Sequence, residues 1–68
     1  MLKQVIINAA RKHAEAEIEL NKANIEVYMQ QVVGIGEHSD IIETIQKELD
    51  KMATANDRLE MLNKHFGA

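Results

Sequence analysis

His13, His38 and His65 are the side chains best suited to ligate a metal or move a proton near neutral pH. Thiolate chemistry is absent, because the chain has no cysteine. Glu17 follows His13 by one helical turn, a spacing that puts two ligands on one side of a helix. A catalytic zinc usually takes three protein ligands. Di-iron bundles repeat a Glu-x-x-His motif on paired helices, and the chain contains no such motif. The spacing therefore predicts a histidine hydrogen-bonded to its neighbour, and neither metal nor cofactor is expected. His38 and His65 are far apart in the chain and read as solvated.

Two other clusters look chemical and are better explained by chain geometry. Glu37-His38-Ser39 places acid, base and hydroxyl side by side, but the members of a catalytic triad converge through the fold. Ser39 reads as a helix cap. Gly34-Ile35-Gly36 before a helix start looks like a phosphate loop, yet it lacks the preceding strand and the rest of the fingerprint. No catalytic residue is identified, and the chain is read as non-enzymatic.

The charge distribution offers one alternative. Eight basic and eleven acidic residues give a formal charge of -3, a balance that argues against nucleic acid as the main partner. The first fourteen residues, however, carry Lys3, Arg11 and Lys12 and no acid. A small dimeric RNA-binding hairpin with these as phosphate contacts is the second reading. Against it, Tyr28 and Phe66 are the only aromatic side chains available for stacking besides histidine, and both are expected in the core.

The elements that carry these residues follow from glycine placement and apolar period. No proline interrupts the chain, and its three glycines are Gly34, Gly36 and Gly67. They predict a first helix over about 3–33, a turn over 34–39 and a second helix over about 40–66. Asp40 with Glu43 three residues on reads as a capping box for the second helix. The run Val5-Ile6-Ile7 favours strand locally, but it continues the helical apolar pattern in phase. It is also far too short for a signal peptide or membrane span, so a cytoplasmic location is expected.

The first helix has two apolar stripes. One runs Ile7, Ala10, Ala14, Ile18, Asn21, Ile25, Tyr28, Val32; the other runs Leu2, Ile6, Ala9, His13, Ala16, Leu20, Ala23, Val27. Their centres lie roughly 135° apart on a helix wheel. The second helix shows one stripe, Ile42, Ile45, Leu49, Met52, Ala55, Leu59, Leu62, Phe66. Folding about the glycine turn sets the first stripe against it, with Val32 facing Ile42, Ile25 facing Leu49, and Ile7 facing Phe66. The fold class is thus an all-α antiparallel two-helix hairpin.

Its second stripe is left uncovered, which predicts a homodimer. The first helices of two copies would cross antiparallel near His13–Ala16, flanked by the second helices in a four-helix bundle. A trimer or hetero-complex would meet the same demand for cover. Met29, Ile35, Ile41 and Met61 form a candidate surface for a further protein partner.

The stretches Asn24-Ile25-Glu26-Val27-Tyr28-Met29, Val33-Gly34-Ile35-Gly36-Glu37-His38-Ser39-Asp40 and Asp57-Arg58-Leu59-Glu60-Met61-Leu62-Asn63-Lys64-His65-Phe66 resemble small uncharacterised proteins of T4-like marine cyanophages. The resemblance implies a viral product working in the cytoplasm of an infected cyanobacterium. It implies no activity, cofactor or catalytic residue. The sequence therefore predicts a small oligomeric interaction protein that binds itself and a host or phage protein.

Overall fold

The computed structural model describes residues 2–32 and 38–67, which form two helices, α1 (Leu2–Val32) and α2 (His38–His65). The Gly34–Gly36 turn lies outside the described residues. Helix α1 runs through Val5-Ile6-Ile7 without a break, so continuity of the apolar period overrides local strand preference. Helix α2 starts at His38, ahead of the expected cap. Asp40 consequently sits inside the first turn, where its charge meets the positive end of the helix. Its carbonyl accepts a hydrogen bond from the Thr44 hydroxyl at 2.9 Å.

At the far end the Phe66 N–H donates to the Leu62 carbonyl at 2.9 Å, closing the last turn. Gly67 follows because a Cβ there would stand 2.8 Å from the Asn63 carbonyl oxygen, closer than real contacts allow. Arg11 reaches across from α1, donating from Nε to Asn63 Oδ1 at 2.9 Å and from Nη1 to Asn8 Oδ1 at 3.0 Å. These contacts tie the open end of the hairpin together.

Three cross-helix contacts fix the register: Arg11 with Asn63, Glu17 with Arg58, and Asn24 with Glu48. Rising numbers on α1 meet falling numbers on α2, so the helices are antiparallel, as the glycine turn predicts. The molecule is a rod measuring 53 × 15 × 13 Å.

The seam follows a seven-residue repeat on each helix. Ile7, Ala14, Asn21 and Tyr28 line it on α1, flanked by Ile18 and Ile25; Ile41, Glu48, Ala55 and Leu62 line it on α2, flanked by Ile45, Met52 and Leu59. Such a repeat keeps one narrow side of each helix on its mate. Ala14 and Ala55 are its most buried members, at 2% and 1% exposure. Small side chains there let the backbones approach closely.

The observed seam corrects the expected stripe on α2. Ile42, Leu49 and Phe66 are exposed, and Glu48 is buried in their stead. Ile42 and Leu49 lie roughly 140° and 120° around the helix from Ala55, beyond what one neighbour covers. Phe66 is in the turn after the last helical residue. On α1, Ala10 is likewise exposed, while Ile7, Ala14, Asn21 and Ile25 are buried as their spacing predicts.

Asn21 and Glu48 are the buried polar side chains of this seam among the described residues. Asn24 Nδ2 donates to Glu48 Oε2 at 3.4 Å, and Lys51 Nζ stands 3.7 Å from Glu48 Oε1. Both contacts are long, so the carboxylate is incompletely compensated for lost water. Replacing Glu48 with Leu is expected to be neutral or stabilising by up to about 1 kcal/mol in a thermal melt followed by circular dichroism. A clear loss of stability would show that the carboxylate itself holds the register.

Candidate interaction surface

Helix α1 turns only one of its stripes toward α2. All eight residues of the other (Leu2, Ile6, Ala9, His13, Ala16, Leu20, Ala23 and Val27) are exposed. Its large members are open along the whole helix: Leu2 is 73% exposed, Ile6 59%, Leu20 60% and Val27 52%. Soluble surfaces scatter single apolar residues, whereas a continuous apolar strip marks a contact face. With a rise of 1.5 Å per residue, this strip is about 38 Å long.

His13 sits midway along it. Its Nδ1 lies 3.0 Å from Glu17 Oε1, as the one-turn spacing predicts, and its own side chain is largely exposed. Arg58 of α2 approaches the same oxygen, with Nη1 at 3.7 Å. Glu17 Oε1 is nevertheless buried and accepts no aligned hydrogen bond among the described residues. The imidazole is close but off the hydrogen-bonding direction, and the Arg58 guanidinium is the permanent positive charge facing this carboxylate. Nothing in the sequence read alone pointed to Arg58. Projecting Glu17 across the hairpin register finds it, since Glu17 falls opposite the Asn56–Arg58 turn.

These three side chains border a groove of about 580 Å³ between the helices, lined also by Ala10, Ala14, Met61, Leu62 and Phe66. The groove opens on the flank that carries the exposed α1 stripe. A second apolar strip, around Ile18, Leu49 and Ala53, lies on the opposite flank. Among the described residues, no three His, Cys, Asp or Glu side chains come together as a metal site. No helix among them is long and apolar enough to cross a membrane.

The other candidate surface does not assemble. Met29 and Met61 are both exposed, but Met29 is near the turn and Met61 lines the groove toward the open end. Ile41 is half-buried in the seam, and Ile35 lies outside the described residues. Of the basic residues considered for RNA, Arg11 is engaged with Asn63 and Asn8, while Lys3 and Lys12 are exposed. His65 packs edge-on to Phe66, with ring centroids 6.5 Å apart. The side chain of His38 falls outside the described residues.

Compared with known proteins, the chain matches no family model, no curated protein and no solved structure.

Proposed function

We propose that this chain is a small non-enzymatic interaction protein whose working form is a homodimer joined through α1. Two copies of α1 cross antiparallel near His13–Ala16, and the α2 helices flank them to complete a four-helix bundle. One observation carries this reading: the stripe from Leu2 to Val27 is apolar and uncovered along its whole length. Leaving it in water forgoes burial worth about 25 cal/mol per Å² in a chain with only one seam to stabilise it. The resemblance of residues 24–66 to cyanophage proteins favours a viral product that, as a dimer, engages a host or phage protein.

Sedimentation equilibrium at micromolar concentration tests the reading. The intact chain is expected at twice the 7.7 kDa of one copy. Leu20→Glu adds a charge at a side chain that α2 does not touch, so it should return the mass to one copy while leaving the helices formed. A stably folded single copy of the unaltered chain would overturn the proposal.

A further inference from the structure

We infer that the partner on the exposed α1 stripe is a second copy held in one register, with the two-fold axis passing between Ala14 and Glu15. The inference rests on the dimer proposed above and specifies how its surfaces meet. The stripe consists of two rows at seven-residue spacing: Leu2, Ala9, Ala16, Ala23 and Ile6, His13, Leu20, Val27. Reversing the helix about that midpoint lays one row onto the other. Leu2 meets Val27, Ala9 meets Leu20, Ala16 meets His13, and Ala23 meets Ile6.

Every alanine of the first row thus faces a larger side chain of the second. Large against small, as at these three levels, is how packed helices fill space without voids or overlap. A parallel pair would set each row on itself, so alanine would face alanine at three levels and large residues would collide at the levels between. A two-fold interface must be self-complementary, and this stripe is so only when one copy runs backwards. An unrelated partner would not require such symmetry within one chain.

The flanking charges agree. On one edge of the stripe, Lys12 of each copy falls beside Glu19 of the other, an opposite-sign pair at each side of the axis. Val5 falls beside Glu26 on that edge. On the other edge, Lys3 meets Asn24 and Ala10 meets Glu17. No like charges are opposed.

The chain lacks cysteine, so introduced thiols report on the register unambiguously. Ala9→Cys and Leu20→Cys both replace exposed side chains and leave the hairpin seam intact. In this register, position 9 of one copy faces position 20 of the other. Like positions are roughly 16 Å apart along the axis, too far for a disulfide. Under oxidised glutathione, each variant alone should therefore run as a single chain on a non-reducing gel. An equimolar mixture should yield a covalent dimer containing one of each. Cross-linking of Ala9→Cys with itself would overturn the register in favour of a parallel pair. A mixture that sediments as a dimer and fails to cross-link would overturn the register while leaving self-association in place. A mixture that sediments as single copies would overturn both.

Discussion

Replacing Ile25 with Ala is expected to lower the stability of the hairpin by about 2–4 kcal/mol, the usual cost of emptying a buried aliphatic site. Ile25 is 7% exposed and is one of the few large side chains the seam covers. In a domain of this size, each kcal/mol shifts the melting temperature by about 4–8 °C. The variant should therefore melt at least 8 °C lower, or lose its cooperative transition altogether, in circular dichroism at 222 nm. Met29→Ala provides the control, since that side chain is exposed and lies off both the hairpin seam and the exposed stripe. It should change stability by no more than about 0.5 kcal/mol. Equal effects from the two variants would mean that the hairpin seam is not where the structure puts it.

Ala55→Leu is the second large expectation, with the opposite physical cause. Ala55 is the most buried of the described α2 residues, at 1% exposure. Three extra carbons have no room there unless the helices separate. Overfilling of this kind costs about 1–3 kcal/mol. The variant should melt earlier and also lose protection of backbone amides on both sides of the site in hydrogen exchange. Ala53→Leu on the exposed flank should do neither. If Ala55→Leu were neutral, the helices would be farther apart at that level than the buried alanines imply.

Much of this architecture is legible from residue types alone, and the part that is not has a definite cause. Ile7, Ala14 and Ile25 are buried because their spacing leaves them no other neighbour. The rotation of α2 about its own axis is harder to read. Ile41 and Ile42 are adjacent, as are Glu48 and Leu49, and apolar character alone favours Ile42 and Leu49 as the inward pair. The hairpin instead turns Ile41 and Glu48 inward. They share the seven-residue row of Ala55 and Leu62, in which Ala55 is the most deeply buried of the described α2 residues. A pattern based on hydrophobicity gives no weight to a buried glutamate. One based on the position of the small residue would have found the right face.

The exposed apolar stripe is legible for the same reason the seam is. Two rows of apolar residues on one helix exceed the cover a single neighbour supplies, and the structure leaves the second row open. Arg58 beside Glu17 was not legible, because such a contact depends on register across the turn and on no local pattern. Residue type alone does not bring Met29 and Met61 together, because the antiparallel path sends them toward opposite ends of the rod.

No large side chain among the described residues is fully buried. A molecule this thin has no interior to shelter its backbone, and every amide is one side chain away from bulk water. In the dimer proposed above, survival against proteolysis would follow dilution: copies too sparse to meet would be cut, and crowded ones would endure. For such a pair, abundance would set lifespan.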